Sequence, residues 1–160
     1  MIKLIALLFT ISITNANIFP FLLPDEGSLF NHHLQTHLKN SQKEIVIVTP
    51  SMNYPSLSKS ILRSISHGTH LTLVVSKPSG SPLSFIAYER VTLFSYTPRA
   101  LADTLILIDN IHVCHLSGSL NEKSLSNNVS NVWCSDEPSL ILATQKQITT
   151  LIKRSKPYLQ

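Results

Sequence analysis

The sequence is poor in charge, glycine and cysteine, and each shortage excludes a class of protein. Only 14% of its 160 residues are charged while 43% are hydrophobic, a balance opposite to that of disordered chains. Four glycines exclude collagen-like repeats and flexible linkers. Two cysteines are too few for a disulfide-rich scaffold, and their spacing matches no zinc finger. The net charge of +4 is a mild basic excess, and the length corresponds to one domain.

Long apolar runs are also scarce, apart from one at the N-terminus. A lysine precedes this run, and small residues follow it up to Ala16. This order is typical of a secretory signal peptide over residues 1–16, followed by one domain over residues 17–160. The alternatives are a retained membrane anchor or an apolar N-terminal strand. The signal-peptide interpretation predicts a periplasmic or secreted protein.

The rest of the chain alternates between helical and strand periodicity, which predicts an α/β fold with a mixed β-sheet flanked by helices. Residues 77–82 are rich in Ser, Gly and Pro and predict a loop, and Asp109-Asn110 predicts a turn. Ser28 is the expected N-cap of the first helix. The expected helices lie at residues 30–38, 56–66, 83–88 and 138–153, and the expected strands at residues 44–49, 71–75, 91–94, 105–108, 111–116 and 129–134.

One stretch is more specific, because Ser117-Gly118-Ser119-Leu120-Asn121 follows directly on a predicted strand. A strand ending in Gly-Ser-x-Asn, after an apolar strand that ends in Asp109, resembles the phospholipase D superfamily. The motif of that superfamily reads His-x-Lys-x4-Asp-x6-Gly-Ser-x-Asn. The resemblance covers nearly the whole domain. Residues 21–28 are similar to the opening segment of its small secreted one-motif bacterial endonucleases, and residues 128–131 fall where the family has Asn-x-Glu-Asn.

The catalytic half of the motif is missing. In the family the His attacks phosphorus, while the Lys and the Ser/Asn pair hold the phosphoryl oxygens. Counted back from Asp109, the His position falls on Ala102 and the Lys position on Thr104. Counted back from Gly118 without a gap, the His position falls on Thr104 and the Lys position on Ile106, so neither register supplies a His or a Lys. The family's Glu position falls on Ser130.

These departures imply a catalytically degenerate phosphodiesterase fold that acts as a binding or envelope-associated module. The alternative is an active phosphodiesterase, of nuclease or phospholipase type, with a rearranged site. His115 is the candidate for a relocated nucleophile, because it shares a strand face with Ser119 if the strand stays regular. The candidate phosphate-binding residues are Gly118, Ser119 and Asn121, whose alternative role is turn chemistry at a strand end.

The resemblance also implies partners. The expected ligand is a weakly bound phosphodiester, either nucleic acid or a phospholipid head group. One-motif members of the family pair two chains across a two-fold interface, which implies a homodimer. An envelope protein is a further expected partner, and no cofactor is expected.

The cysteines and histidines leave two questions open. The resemblance places the strands of Cys114 and Cys134 in one region of the central sheet, where they form either a disulfide or two buried free thiols. His33 and His37 are four residues apart on a predicted helix, a spacing that can chelate a metal. Because no acidic residue shares their face, they are interpreted as half-buried helix surface, and no metal site is expected.

Overall fold

The computed structural model describes residues 16–76 and 81–158. Residues 1–15 of the predicted signal peptide and residues 77–80 of the predicted loop therefore lie outside the described residues. Along the chain the elements are β1 (Ile18–Leu23), α1 (Gly27–Asn40), β2 (Glu44–Thr49), β3 (Met52–Asn53), α2 (Pro55–Ser66), β4 (His70–Val75), α3 (Ser81–Phe85), β5 (Val91–Ser95), β6 (Asp103–Ile108), β7 (His112–Ser117), β8 (Leu120–Asn121), α4 (Glu122–Asn127), β9 (Ser130–Ser135), α5 (Pro138–Lys153) and β10 (Lys156–Pro157).

Eight of these strands form one mixed sheet in the order β1-β9-β7-β6-β2-β4-β5-β10. Strands β2, β4 and β5 are parallel, because α2 and α3 carry the chain back between them. Strands β6, β7, β9 and β1 are antiparallel to their neighbours. The short strands β3 and β8 pair separately in parallel. The predicted α/β class with a mixed sheet flanked by helices is confirmed.

The sheet separates two apolar layers, since successive side chains of a strand point to opposite faces. On β2, Ile45 and Ile47 pack with α1 and α2, while Val46 and Val48 pack with α5. The larger layer, under α1 and α2, carries the first helix's apolar stripe of Phe30, Leu34 and Leu38. Among the described residues, no helix is long and apolar enough to span a membrane.

The predicted boundaries hold for β2 and α5 and fail at two helices. Helix α1 begins at Gly27, because the Glu26 carbonyl accepts the first helical hydrogen bond from the Phe30 N–H at 2.9 Å. Ser28 therefore lies inside the helix, and its predicted N-cap role is wrong. Helix α3 covers only Ser81–Phe85 rather than residues 83–88, because the Tyr88 N–H closes a turn onto the Phe85 carbonyl.

Candidate functional site

The β6–β7 hairpin carries the motif positions at its two opposite ends. Asp103 pairs with Ser117 at one end, next to Gly118. At the other end, Asp109 and Asn110 form the turn with φ values of 53° and 58°, a left-handed pair that Asp and Asn tolerate. A six-residue strand separates the two ends by about 20 Å. Asp109 is therefore remote from Gly118 and from any phosphate held there.

The Asp109 carboxylate fixes the loop between α1 and β2. It accepts hydrogen bonds from the Ser41 hydroxyl at 2.8 Å and from the N–H groups of Gln42, Lys43 and Glu44 at 2.9 Å. Burial by itself raises the pKa of Asp109, but these four donors outweigh it, so that the pKa lies below its ordinary value of 3.8. Asp109 therefore stabilises the loop between α1 and β2 and does not contact the Gly-Ser-x-Asn segment.

We expect Asp109→Asn to lower the free energy of unfolding by about 1–3 kcal/mol at neutral pH, because an amide nitrogen cannot accept these bonds. A carboxylate with a lowered folded-state pKa stabilises above pH 3.8, and this contribution disappears as the pH falls through the lower folded-state value. Chemical denaturation from pH 7 to pH 3 measures the effect. The difference from the parent shrinks below pH 3.8, whereas a difference that is constant with pH would contradict the assignment. Asp25→Asn, on an exposed turn, is the control.

Thr104, at the family's Lys position, is buried in a hydroxyl network. Its Oγ1 lies 2.7 Å from Thr49 Oγ1 and donates to the Gly118 carbonyl at 2.7 Å. The Leu120 N–H in turn donates to Thr49 Oγ1 at 3.1 Å and to the Ser51 carbonyl at 3.0 Å. Both threonines have 0% of their surface exposed. These hydrogen bonds connect Thr104 to β2 and to the turn at Gly118, and its side chain does not face solvent.

The two other catalytic positions hold equally inert groups. Ala102, at the His position, is exposed, and its carbonyl accepts from the Gly118 N–H at 2.9 Å. Ser130, at the Glu position, begins β9 opposite Leu23. Its hydroxyl oxygen is buried and has no hydrogen-bond partner among the described residues. A nucleophile, a phosphate-binding cation and an orienting carboxylate are thus all absent from these positions.

The candidate phosphate-binding residues follow directly on β7, and Asn121 alone of the three lines the polar cavity beside β8. Gly118 has a φ of 95°, a conformation that favours glycine, and it turns the chain into β8. Asn121 Oδ1 accepts from the Ser124 N–H at 2.8 Å and caps α4. Its amide also lines an open cavity of about 680 Å³ together with Lys123 and other polar residues. The remaining lining residues of this cavity, which we call the β8 cavity, are Asn53, Pro55, Glu122, Ser126 and Asn127.

His115 lies in a different cavity, on the α5 side of the sheet. Its Nε2 is 3.9 Å from an Asp103 carboxylate oxygen, and its ring stacks on Trp133 at 5.5 Å. This cavity, of about 760 Å³, is also lined by Arg99 and Lys146. Neither Ser119 nor Asn121 lines it. The regular alternation that would place His115 beside Ser119 ends at Gly118, because the positive φ there redirects the chain.

The two cysteines form a disulfide in the larger apolar layer. Cys114 and Cys134 are directly opposite on β7 and β9, with Cα atoms 4.0 Å apart, and their sulfurs are bonded. Of the alternatives that the sequence left open, the structure has the bridge rather than two free thiols. Both residues have 0% of their surface exposed.

Three histidines pack over this bridge. His112, only 3% exposed, stacks on His37 at 3.7 Å, and its Nε2 lies 3.0 Å from His33 Nε2. Burial, and then the charges of neighbouring histidines, lower the pKa of His33 to about 4 and that of His112 to about 3. His33 and His37 are half-buried as expected, but they face His112 and not solvent alone.

These features define a phospholipase D-like fold with a polar Gly-Ser-x-Asn corner and no His-Lys pair. The resemblance seen in the sequence is confirmed at the level of the fold. The chain is similar to NucT from Helicobacter pylori, with a TM-score of 0.79 and 13% identity over 89% of this chain and 99% of that chain. It is also similar to Nuc from Salmonella typhimurium, a phospholipase D family member, with a TM-score of 0.77 and 14% identity over 91% of this chain and 99% of that chain.

A larger enzyme shares the fold over part of its length. Phosphatidylserine synthase from Haemophilus influenzae matches with a TM-score of 0.68 and 16% identity, over 89% of this chain and 40% of that chain. No protein-family model matches the sequence, and no curated protein matches it. At identities of 13–16%, the likeness to solved structures establishes the fold alone.

Proposed function

We propose that this chain is an exported, catalytically inactive phospholipase D-like domain that binds phosphodiesters at the cell envelope. The observation that carries the proposal is the burial of Thr104 between Thr49 and Gly118. Thr104 is the family's Lys position when counted from Asp109 and its His position when counted from Gly118. A neutral hydroxyl whose hydrogen bonds are all internal holds no phosphoryl oxygen. Ala102 supplies no nucleophile, and loss of a nucleophile lowers turnover by roughly 10⁶-fold in a measured enzyme.

The β8 cavity is the proposed binding surface. Lys123 supplies one cation, while Asn53 and Asn121 supply amide donors, which suit the oxygens of a phosphodiester. Glu122 lines the same cavity and opposes the anion. Asn121 Oδ1 already caps α4, and the amide nitrogen donates to Ser51 Oγ at 3.5 Å, which leaves one amide hydrogen for a ligand. One cation next to one carboxylate supports weak binding, with a Kd of about 1 mM.

Titration of the isotope-labelled chain by nuclear magnetic resonance tests this surface with two probes, a short single-stranded DNA and glycerophosphocholine. We expect chemical-shift changes at residues 118–123. Changes with the DNA would indicate a nucleic-acid ligand, and changes with glycerophosphocholine would indicate a phospholipid head group. Lys123→Ala should weaken binding by about two- to fivefold, the range of an exposed ion pair. Lys39→Ala, exposed on α1, is the matched control and leaves binding unchanged. The absence of shifts at these residues up to about 20 mM, well above the expected Kd, would exclude the proposed surface.

A specific observation supports a second function, an active phosphodiesterase that uses His115. An imidazole 3.9 Å from the Asp103 carboxylate, with Arg99 and Lys146 lining the same cavity, combines a nucleophile, an orienting group and two cations. This arrangement lies outside the motif and shares no residue with the β8 cavity. Turnover that depends on His115 distinguishes it from the binding module.

We further propose that the module is a homodimer, because one-motif members of the resembled family pair two chains across a two-fold interface. Sedimentation velocity at two protein concentrations measures the mass. A species of twice the chain mass is the expected result. The mass of a single chain at both concentrations would contradict the dimer.

An envelope partner would be captured from an envelope extract on the purified chain.

A further inference from the structure

Donor atoms from three elements meet in the larger apolar layer, away from the motif corner. His33 Nε2 on α1 lies 3.0 Å from His112 Nε2 on β7, which lies 3.7 Å from Cys114 Sγ. Cys134 on β9 completes the group, and all four donor atoms lie within 4.8 Å of one another. These four side chains are called the His–Cys cluster below.

We propose that the His–Cys cluster binds a zinc-class divalent cation whenever the Cys114–Cys134 bridge is reduced. Two imidazoles and two thiolates are a preferred tetrahedral ligand set of Zn²⁺. Bonds of about 2.0–2.3 Å to the metal place neighbouring donor atoms about 3.3–3.8 Å apart. The nitrogen–nitrogen distance of 3.0 Å and the nitrogen–sulfur distance of 3.7 Å are near this spacing. The two sulfurs must separate, by rotation of their side chains after the bond is broken, and every other pair of donor atoms already lies within 4.8 Å.

The surroundings hold the ligands in place and exclude most water. Both cysteines are fully buried, and 3% of His112 is exposed. The His37 ring stacks on His112 with an interplanar angle of 4°, which fixes the plane of that imidazole. Phe19 packs on His33 with ring centroids 4.9 Å apart. His33 is half-buried, so the site is largely but not fully shielded from water, and its oriented imidazoles favour a bound cation over free donors.

The Cys114–Cys134 bridge must be reduced before a cation binds, and a dithiol is the reductant that balances this step. The dithiol transfers two electrons and two protons to the bridge, becomes a disulfide itself, and leaves Cys114 and Cys134 as thiols. Cation binding displaces both thiol protons, while each imidazole binds through Nε2 and keeps its proton on Nδ1. The bridge and the cation therefore compete for the same two sulfurs, and a bound cation opposes reoxidation.

Cobalt titration of the full chain tests the proposal, because Co²⁺ occupies such sites and reports its ligands by absorption. In chain reduced with a non-thiol reductant, we expect one equivalent of Co²⁺, visible bands of tetrahedral coordination and a thiolate-to-cobalt charge-transfer band. The chain with the bridge intact should show none of these three features. His33→Ala should weaken Co²⁺ binding by at least about tenfold. Loss of a group that only hydrogen-bonds to a metal ligand already lowers metal affinity by about that factor, and His33 would be a ligand itself. His32→Ala, its exposed neighbour on α1, is the matched control.

Three outcomes would overturn the proposal: no cobalt bound by the reduced chain, equal binding by the bridged chain, or unchanged affinity in His33→Ala. A second measurement needs no variant. Zn²⁺ added to the reduced parent at about ten times its Kd should slow reoxidation of the bridge by about tenfold, because only the unbound fraction of the chain has free thiols. An unchanged reoxidation rate would contradict a cation held by these sulfurs. Both readouts are independent of phosphodiester binding.

Discussion

We expect Thr104→Lys to lower the free energy of unfolding by at least about 3 kcal/mol. The side chain at this position has 0% of its surface exposed, and its neighbours Thr49 and Gly118 offer one hydroxyl and one carbonyl but no carboxylate. An ammonium group placed there would be buried without a charged partner. Restoring the family's lysine would therefore damage this fold, and chemical denaturation measures the loss.

The control for this result separates the buried charge from the lost hydrogen bonds. Thr104→Val keeps the volume but removes both hydroxyl interactions, at a cost of about 1–3 kcal/mol. Thr104→Ser keeps the hydroxyl and should be closest to the parent. A Thr104→Lys variant as stable as the parent would show that the position opens to solvent and would contradict an inert site.

The second large effect is expected from the disulfide. The Cys114→Ala/Cys134→Ala double variant should be less stable than the parent by about 3 kcal/mol, because the bridge closes a loop with a sequence separation of 20. Chemical denaturation measures the free energy of unfolding of both proteins. A chelator is present in each sample, so that no metal ion binds to the reduced cysteines. Reductant should destabilise the parent to a similar extent and leave the double variant unchanged. Equal stability of parent and variant would contradict a stabilising bridge.

Elements with strong local periodicity were predictable from the sequence. Helix α5 begins at Pro138, a favoured first helical residue, and its apolar residues recur at helical spacing up to Lys153. Strand β2 is an uninterrupted β-branched run. In each case, the local pattern and the buried face agree, so that the boundaries follow from the residues themselves.

Elements that depend on distant partners were not predictable. Strand β1 contains Pro20, which argues against a strand, but the proline is tolerated because β1 is at the sheet edge against β9. Strands β3 and β8 have two residues each and exist only through their mutual pairing. The hydrogen bonds of Thr104 to Thr49 and Gly118 likewise join segments that are distant in sequence, so the motif predicts where the Lys is missing but not that Thr104 is buried.

The site was predictable in part. Of the motif candidates Gly118, Ser119 and Asn121, Asn121 alone lines the β8 cavity, and its cap of α4 could have been read from its place before the acidic Glu122. Burial of His112 could have been inferred, because it alternates with the apolar Cys114 and Leu116 on one face of β7. Its contact with His33 depends on how α1 packs on the sheet, and no local pattern encodes that packing. For the same reason, the sequence did not predict which side chains line the two cavities. Asn53 and Lys123 line the β8 cavity, and Arg99 and Lys146 line the α5-side cavity.

The absence of phosphodiester hydrolysis is the central claim, and the most direct test is hydrolysis of bis(p-nitrophenyl) phosphate by the purified chain. We expect the parent and His115→Ala to release p-nitrophenol at the same rate as buffer alone, because Ala102, Thr104 and Ser130 supply none of the family's catalytic groups. Turnover in the parent that disappears in His115→Ala would contradict the claim and identify the α5-side cavity as an active site.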